Sequence, residues 1–574
     1  MGSNQPTNGK AYLSRRSFLK GAGSASIAGI FGITGATLAA STLAACTPTD
    51  DPVPPNQDDT NQWDKEVDII VVGFGGAGGA AAIEAYDNQA GEILILEKTA
   101  TPGGCTTLSA GIFYAANTTL QKLNGITDSA DDMYKYLMIM GNGLNSPELS
   151  KVYADKSAET FAWMESLGSV FYDTGVNLYG GIPVIKPPHN DDTSYGLYYS
   201  GGEPDPIPAS VVPPVPRGHI VRPVEPNYPY PPINPGVSIE IGPTRGTGYF
   251  KPLWDGVASR GIEVMLETRA TKLIMDNETG EVIGLEAIQA TIPTTDLAQL
   301  TDYSNGKSLR IKARKAVVLT AGGHSQNKEF NKIFCQEAVY PERYNASDTG
   351  DGIIMGMQIG AGTINLDQTL LSVSVTRGAI LVNQGGRRFT DETVYRVAAE
   401  DWYGSFNSKA WDISDSTMYS ATTFDFSADT IEELAEKIVI DPATLRSTVD
   451  YYNESVAQGY DREFGKTKIT RNLDTSEAAA LKPISTPPFY ANERIPDRSL
   501  VSGQGITMGG LRIDEKARVL KITGTETIGR LYAAGSNSGG LFGDCYPGSG
   551  AAIAQALIFG RIAGANAAEE ESRG

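Results

Sequence analysis

The 574-residue sequence predicts an α/β fold, and three observations near its N-terminal end carry that prediction. Residues 67–72 form an apolar run of strand length, and the glycine-rich stretch GFGGAG follows at residues 73–78. The alanine-rich residues 80–86 have the composition of a helix. A second apolar run, at residues 93–96, ends at the acid Glu97. Strand, glycine turn, helix and a second strand ending in an acid form the Rossmann-like unit that binds an ADP moiety.

Each glycine of the turn has its own task in such a unit. Gly73 permits the tight turn, Gly75 lets the backbone approach a diphosphate, and Gly78 lets the helix pack on the strand. We expect the diphosphate to lie on unpaired amides at the helix N-terminus, where the helix dipole favours negative charge. Glu97 would accept hydrogen bonds from the adenosine ribose. The sequence therefore predicts a dinucleotide site.

The residues ahead of this unit predict export and a lipid anchor. SRRSFLK at residues 14–20 has the pattern of a twin-arginine signal, and the uncharged residues 21–45 are too weakly apolar for a good transmembrane helix. That stretch ends LAAC, which resembles a bacterial lipobox with Cys46 as the lipidated first residue of the mature chain. An uncleaved membrane anchor is the alternative. The twin-arginine route exports proteins already folded around a cofactor, which agrees with a tightly bound cofactor.

We therefore expect a signal peptide at residues 1–45, a flexible tether at residues 46–63, and an extracytoplasmic protein that is lipid-anchored to the cell membrane. The chain has 67 acidic against 47 basic residues, a formal net charge of −20. This charge argues against nucleic acid as a partner and against direct adhesion to anionic lipid, so membrane attachment should come from acyl chains. Four cysteines and three histidines, without a CxxC or a metal-ligand spacing, predict neither a metal site nor a c-type haem.

The middle of the chain alternates between regular and irregular composition. Residues 128–167 carry apolar residues at helical spacing. Residues 172–243 are rich in proline and tyrosine, which is typical of an irregular surface loop, although the tyrosines could also line a pocket mouth. Short strands are then predicted at residues 262–266, 270–275, 282–290 and 316–321.

Seven further segments occur in the order of one known family. They are VVLTAGG at residues 317–323, DTGDGI at 348–353, GAILVN at 378–383, RF at 388–389, PPFYA at 487–491, TMGG at 507–510 and LYAAG at 531–535. With the N-terminal fingerprint and Gly103-Gly104, they resemble the fumarate reductase and 3-ketosteroid dehydrogenase group of FAD flavoproteins. The resemblance implies FAD, a Rossmann-like FAD-binding domain from residues 64–360 and 501–574, and an inserted, mobile α+β capping domain at residues 361–500.

The resemblance also implies which residues hold FAD. They are Gly73, Gly75, Gly76, Gly78, Glu97, Lys98, Gly103, Gly104, Cys105, Gly111, Gly322, Gly323, Asp351, Gly535, Ser536, Gly550, Ala551 and Ile553. One of them departs from the family, because the acid that usually follows Ala-Ala-Gly is here Ser536. A hydroxyl can still bond the ribityl chain, so we expect the site to survive with a lower affinity for FAD.

The resemblance implies two candidates for the proton-transfer group. In fumarate and urocanate reductases the arginine that protonates the substrate lies seven residues after the phenylalanine matched by Phe389, which is the position of Arg396. In 3-ketosteroid dehydrogenases a tyrosine base holds that position, and here Tyr395 is its neighbour. Arginine suits hydride attack on an activated C=C, since the developing enolate is basic enough to take a proton from a high-pKa donor. A surface arginine in an ion pair is the alternative.

The last loop implies how a carbonyl would be held. YPGSG at residues 546–550 matches the Tyr-x-Gly-x-Gly of 3-ketosteroid dehydrogenases, so the Tyr546 hydroxyl and the Gly550 N–H would polarise an enone or ester carbonyl. A Tyr546 that only packs beside the flavin is the alternative. Cys105 and Cys545 flank the two loops that approach the flavin. We interpret them as buried thiols, with a redox or cluster-binding role as the alternative.

Departures from the family narrow the substrate. Fumarate reductases hold dicarboxylates with two histidines and an arginine, and the matching residues 367–370, 503–506 and 544–546 contain none of these groups. The Glu–Arg proton relay is also absent, because its region reads SVSV at residues 372–375. A dicarboxylate would lose several charge-assisted hydrogen bonds of about 1.5–3 kcal/mol each. We expect a larger or more aromatic α,β-unsaturated carbonyl compound.

Three hypotheses of function follow. The first is an exported, lipid-anchored FAD reductase of an α,β-unsaturated carbonyl compound, which takes electrons from a separate partner because the sequence has no haem or recognisable FMN-attachment domain. The second is a dehydrogenase of the 3-ketosteroid type, against which Arg396 argues. The third is a non-catalytic flavin-binding lipoprotein that relays electrons, against which the pair Arg396 and Tyr546 argues.

Overall fold

The computed structural model describes residues 62–172, 197–198, 215–224, 245–295, 299–335, 345–370, 378–390, 410–418, 424–464, 481–494, 506–543, 546–548 and 550–573. The predicted signal peptide, Cys46 and nearly all of the tether lie outside the described residues, and their roles stay predictions.

The described strands, in chain order, are β1 (Lys65–Val72), β2 (Ile93–Leu96), β3 (Ile112–Tyr114), β4 (Leu197–Tyr198), β5 (Gly218–Ile220), β6 (Glu263–Met265), β7 (Thr268–Met275), β8 (Val282–Gln289), β9 (Lys307–Leu319), β10 (Thr363–Ile364), β11 (Thr369–Leu370), β12 (Ile380–Asn383), β13 (Ala410–Asp415), β14 (Phe426–Ala428), β15 (Phe489–Arg494), β16 (Ile506–Thr507), β17 (Gly510–Arg512), β18 (Arg518–Leu520), β19 (Thr527–Ala533) and β20 (Ser538–Gly539). The described α-helices are α1 (Gly76–Asp87), α2 (Gly104–Leu108), α3 (Thr119–Leu123), α4 (Ala130–Met140), α5 (Pro147–Leu167), α6 (Thr247–Ser259), α7 (Lys328–Phe334), α8 (Asp351–Gln358), α9 (Ile431–Lys437), α10 (Pro442–Gln458) and α11 (Ala551–Glu569).

A sheet rich in parallel strands forms the centre of the fold. Its strands lie in the order β18-β19-β9-β1-β2-β6, and the hairpin of β8 and β7 joins it at β9. β1 pairs in parallel with β2 and with β9, so that Val72 lies opposite Leu96 on one side and Leu319 on the other. The carboxyl ends of three parallel strands thus meet at one edge, which is where open α/β sheets bind ligands. The α/β prediction is confirmed.

The two ends of the described chain meet in one pair of helices. α1 follows the glycine turn and α11 closes the chain, and their backbones touch at small residues. A Cβ built on Gly560 would lie 2.5 Å from the carbonyl oxygen of Ala77, and one on Gly564 would lie 2.1 Å from that of Ala81. Only glycine lets the helices approach this closely, so residues near both ends of the chain build a single domain.

A second sheet has a core of its own. β12, β13, β15 and β14 pair antiparallel in that order. Helices α9 and α10 pack on it through buried residues such as Ile413, Leu434 and Val449. This α+β unit is inserted between the strands of the central sheet, as expected of a capping domain. The limits at residues 361 and 500 stay predictions.

Two predicted segments differ from what the structure shows. The helical stretch is two helices, α4 and α5, because Asn142 (φ 49°) and Gly143 (φ 80°) turn the chain between them. The proline- and tyrosine-rich segment contains β5, the middle strand of the sheet β3-β5-β4, with Arg217 and His219 completely buried. The prediction of an irregular surface loop is therefore wrong for residues 215–221, because flanking prolines dominate the composition around a strand that pairs with β3.

Candidate functional site

The glycine turn after β1 has the geometry of a diphosphate site. Gly73 has a φ of 101°, and its N–H donates to the carbonyl of Leu96 at 2.7 Å. A Cβ on Gly78 would lie 1.9 Å from the Gly73 carbonyl oxygen, so this position must be glycine for the turn to close. A Cβ on Gly75, in contrast, would meet no described atom closer than 3.8 Å. The space in front of Gly75 is therefore a cradle that a side chain would fill, which fits a diphosphate approached by the backbone.

Some amides of this turn are already bonded within the protein. The Phe74 N–H donates to Glu97 Oε2 at 2.9 Å, and the Gly76 N–H donates to Thr106 Oγ1 at 2.9 Å. Within the described residues the amides of Gly75 and Ala77 donate to no protein group. They are the donors at this helix N-terminus that a diphosphate would satisfy.

Glu97 has a structural task besides the predicted one. Its Oε1 accepts from both the backbone N–H and the hydroxyl of Thr99, at 2.9 and 2.8 Å, while Oε2 holds the glycine turn through Phe74. Glu97 also lines the cleft in front of the turn. A carboxylate has about four lone-pair positions, so one remains for a ribose hydroxyl.

A single cleft brings most of the predicted cofactor residues together. It encloses about 780 Å³, part of it open to solvent. The predicted residues that line it are Gly73, Gly75, Gly76, Glu97, Lys98, Gly104, Cys105, Gly322, Asp351, Gly535 and Ser536. The predicted residues that are not part of its lining are Gly78, Gly103, Gly111, Gly323, Gly550, Ala551 and Ile553. Five of these seven are glycines, and at Gly78, Gly111 and Gly550 a Cβ would lie within 3 Å of the backbone of another residue.

Two cations share one carboxylate at the β2 and β7 side of the cleft. Lys98 Nζ lies 3.0 Å from Asp351 Oδ2, and Arg269 Nη2 lies 3.0 Å from Asp351 Oδ1. Burial opposes ionisation of Asp351, yet Lys98 and Arg269 hold its pKa below its usual value. Asp351 is thus a carboxylate that fixes two cations beside the cleft.

Several residues that were not predicted to hold the cofactor line the same cleft. They include Thr106, Thr268, Arg269, Asn345, Ser347 and Asp348. Thr106 bonds a backbone 30 residues away. No local pattern marks such contacts, because they depend on how loops far apart in the chain fold against each other.

The thiol of Cys105 opens into the cleft. Cys105 is exposed by surface area and lines the cleft, so the prediction of a buried thiol is wrong for this residue. The protein groups packed around the thiol desolvate it and, with the nearby Asp348 carboxylate, raise its pKa strongly, which leaves it protonated. Burial likewise raises the pKa of the Cys335 thiol, to about 12. Protonated thiols are poor nucleophiles, in agreement with inert side chains. Cys545 lies outside the described residues.

The last loop places Tyr546 against the start of α11. The tyrosine is buried, and its hydroxyl accepts a 2.7 Å hydrogen bond from the Ala552 N–H in the first turn of that helix. Gly550 caps the helix with a φ of 93°, and a Cβ there would lie 2.6 Å from the Ile112 carbonyl oxygen. Tyr546, Gly550 and β3 are therefore neighbours. Tyr395 and Arg396 lie outside the described residues, and their roles stay predictions.

Buried polar groups support this loop from beneath. Arg217 makes a bidentate ion pair with Asp128, at 2.9 Å from Nε and 2.8 Å from Nη2. Burial opposes the charge on Arg217, but Tyr114 and Asp128 raise its pKa above its usual value. The guanidinium lies 5.6 Å from the centre of the Tyr136 ring. The proline-rich segment thus contributes a fixed charge beneath the site.

Comparison with known proteins agrees with this geometry. A family model described as FAD binding domain matches residues 68–553. The urocanate reductase of Eggerthella lenta is 28% identical over 93% of this chain and 82% of that protein. The NADH:fumarate oxidoreductase of Klebsiella pneumoniae is 27% identical over 88% of this chain but 48% of that protein, so the chain spans about half of that relative. The crystal structure of 3-ketosteroid-Δ4-(5α)-dehydrogenase from Rhodococcus jostii, in complex with 4-androstene-3,17-dione, has a TM-score of 0.70 at 28% identity and covers 89% of this chain and 99% of that one.

Proposed function

We propose a reaction from the premise that this chain belongs to the FAD binding domain family and is an FAD-dependent oxidoreductase that acts on C=C or CH–CH bonds. The reaction is reduction of the C=C of an α,β-unsaturated carbonyl compound, such as an enone, an ester or an acid other than a small dicarboxylate. The residues of the cleft fit FAD, because the cradle at Gly75 and the donors of Gly75 and Ala77 suit its diphosphate. When bound, FAD supplies the hydride from N5 of its ring.

The observation that carries the proposal is the placement of Tyr546 at the N-terminus of α11. A phenol that accepts a backbone N–H bond is polarised as a donor, and Ala552 provides that bond at 2.7 Å. The Gly550 amide stands at the cap of the same helix, where the dipole stabilises negative charge. Hydroxyl and amide together would hold a substrate carbonyl and stabilise the enolate that forms as its β-carbon takes the hydride.

Arg396 is the proposed proton donor to the α-carbon. Arg388, eight residues before Arg396 in the sequence, is held firmly in the structure. Its side chain is completely buried and donates two 2.9 Å hydrogen bonds to Asp461. Arg388 also lies over the ring of Tyr452 at 4.9 Å. An arginine guanidinium can give up a proton only to a strongly basic enolate, and its positive charge stabilises the enolate as it forms.

The opposite direction is the second candidate function. The similarity to the 3-ketosteroid-Δ4-(5α)-dehydrogenase structure, at a TM-score of 0.70, favours it. In that case Tyr395 would act as the base that removes a proton from a CH–CH bond. The two directions differ in which of the neighbours, Arg396 or Tyr395, exchanges the proton.

The experiment follows oxidation of the reduced flavin by substrate in an anaerobic stopped-flow instrument. Enones, cinnamates and steroids, screened with reduced viologen as the donor, provide the substrate. Arg396→Ala should bind FAD and accept electrons, but oxidation by substrate should be about 10²–10⁴-fold slower. Arg396→Lys should recover little, because the planar guanidinium geometry is lost. Normal oxidation in Arg396→Ala together with an inactive Tyr395→Phe would establish the dehydrogenase direction instead.

We also propose that the protein is exported through residues 14–20 and held at the membrane by acyl chains on Cys46, with electrons from a separate donor. Replacing Arg15 and Arg16 by lysine should leave the protein in the cytoplasm. Cys46→Ala should release the protein from the membrane fraction. If Cys46→Ala still fractionates with membranes after a carbonate wash, residues 21–45 are an anchor.

A further inference from the structure

Asp348 is a buried carboxylate in the lining of the cofactor cleft. The hydroxyl of Ser325 donates to its Oδ2 at 2.9 Å. Lys98, whose charge acts on it, makes its ion pair with Asp351 instead. Burial raises the pKa of Asp348 against the effects of Ser325 and Lys98. A Gly323 backbone hydrogen bond also acts on this carboxylate. The carboxylate loses hydration without an ion pair among the described residues, so a further hydrogen-bond donor from a ligand would stabilise it.

Asp348 and Ser536 are both neighbours of Gly323. A Cβ built on Gly323 would lie 3.4 Å from Asp348 Oδ2 and 3.4 Å from Ser536 Cβ. A Cβ on Gly322 would lie 2.4 Å from Asp348 Oδ1. Asp348 and Ser536 both line the cleft, although they come from segments nearly two hundred residues apart. A carboxylate at either position would therefore place its oxygens in the same part of the cleft.

We propose that Asp348 is a cofactor-binding residue whose carboxylate accepts a hydrogen bond from a ribityl hydroxyl of FAD, and that positions 348 and 536 are interchangeable for this acceptor. The polyol chain of FAD supplies neutral O–H donors, and a carboxylate binds such a donor about twice as strongly as a neutral acceptor does. Ser536 offers only a short neutral hydroxyl. Asp348 thereby supplies the charge that position 536 lacks.

The affinity of the apoprotein for FAD, measured through the quenching of flavin fluorescence, tests the proposal without any substrate. Asp348→Asn keeps the shape of the side chain and removes its charge. We expect the Kd for FAD to rise about tenfold to a hundredfold. The double variant Asp348→Asn/Ser536→Asp returns a carboxylate from the other side of Gly323, and its Kd should lie within about threefold of the wild-type value.

The matched control is Asp348→Asn/Ser536→Asn, which has the same size at position 536 but no charge and should not recover the affinity. An unchanged or lower Kd in Asp348→Asn would overturn the proposal, and so would equal Kd values for the two double variants. If Asp348→Asn does not fold, wild-type protein is titrated with FAD analogues that lack single ribityl hydroxyls. One analogue should bind about tenfold more weakly, and equal affinity for all of them would exclude the bond.

Discussion

The hydroxyl of Tyr136 donates a 2.6 Å hydrogen bond to the backbone carbonyl of Pro547. Tyr136 belongs to α4, and Pro547 directly follows Tyr546, so this bond ties the loop of the proposed carbonyl site to the body of the domain. Arg217 lies over the Tyr136 ring and is itself fixed by Asp128. The orientation of the loop thus depends on a buried ion pair that substrate would not touch.

Tyr136→Phe should slow oxidation of the reduced flavin by substrate about tenfold while FAD binding is unchanged, because the carbonyl of Pro547 loses its donor and the loop loosens. Stopped-flow measurement of that step checks the prediction. Tyr532→Phe is the control, since it removes a buried hydroxyl that donates to Glu570 at 2.7 Å near the other end of α11. Both variants should lose about 1–3 kcal/mol of stability. Equal rates in both variants would contradict a positioning role for Tyr136.

Gly75→Ala and Gly78→Ala should fail for different reasons. The methyl group of Gly75→Ala has room in the protein but occupies the cradle, so the protein should fold and fail to bind FAD. The methyl group of Gly78→Ala would clash with the Gly73 carbonyl at 1.9 Å and should destabilise the fold itself. Flavin absorbance and the thermal midpoint of the apoprotein separate the two effects. A yellow Gly75→Ala protein with normal FAD content would contradict the assignment of the cradle.

The stability of the protein should fall in mild acid because of His219. Burial lowers the pKa of His219 from 6.5 to about 4. Between these two pH values the unfolded protein binds a proton at His219 that the folded protein does not. The contribution of neutral His219 to the free energy of unfolding is therefore complete above pH 6.5 and is lost as the pH falls towards 4. The loss from this group amounts to about 3 kcal/mol. Urea unfolding between pH 4 and 7 should show a smaller pH dependence in His219→Gln, and identical curves would refute the prediction.

Asp461→Asn should destabilise the capping unit strongly. Among the described ion pairs of the buried Arg388 guanidinium, this change leaves the one with Glu463, at 3.2 Å and partly exposed. Breaking a buried ion pair by removing one partner costs about 3–5 kcal/mol. Glu463→Gln is the control and should cost about 1 kcal/mol or less, since its side chain is exposed on one side. Chemical unfolding curves of both variants test this ranking.

Val439→Gly should stabilise the protein. Val439 follows the C-terminal end of α9 with a φ of 59°, which is unfavourable for a β-branched residue, and its side chain is exposed. The Ile440 N–H returns to the Ala435 carbonyl at 2.9 Å, so the left-handed turn is part of the helix cap. Removing the strain should raise the free energy of unfolding by about 1 kcal/mol. Val439→Ala keeps the strain of a Cβ and should gain less.

The spacing of neighbouring residues in the sequence predicted the centre of the fold well, but it did not predict contacts between loops that are far apart in the chain. Strands β1 and β2, the glycine turn and Glu97 belong to one continuous unit, and each follows from the residues beside it. The hydrogen bond from the Phe74 N–H to Glu97 could not be predicted from neighbouring residues, because it joins positions 23 residues apart. Asp348 begins the motif at residues 348–353 but was not predicted to bind the cofactor, for the same reason. Its neighbour across Gly323 is Ser536, which lies far from it in the sequence.

The buried strand β5 shows a different limit. Its few residues lie among prolines, so composition averaged over residues 172–243 could not mark it. What places it is pairing, since Ile220 lies opposite Ile112 and His219 opposite Phe113. Cross-strand pairing of this kind is not encoded in the strand's own sequence. For the same reason, the position of Arg217 next to Asp128 and Tyr136 was not predicted.

The close contact of α1 with α11 determines when the cofactor can be loaded. The cleft takes Gly75 from the start of the domain and Gly535, Ser536 and Ala556 from the last part of the chain. A growing polypeptide on the ribosome therefore has half of a flavin pocket until the residues of α11 have been synthesised. FAD should then be bound only after α11 is made, and a chain truncated before α11 should never become yellow.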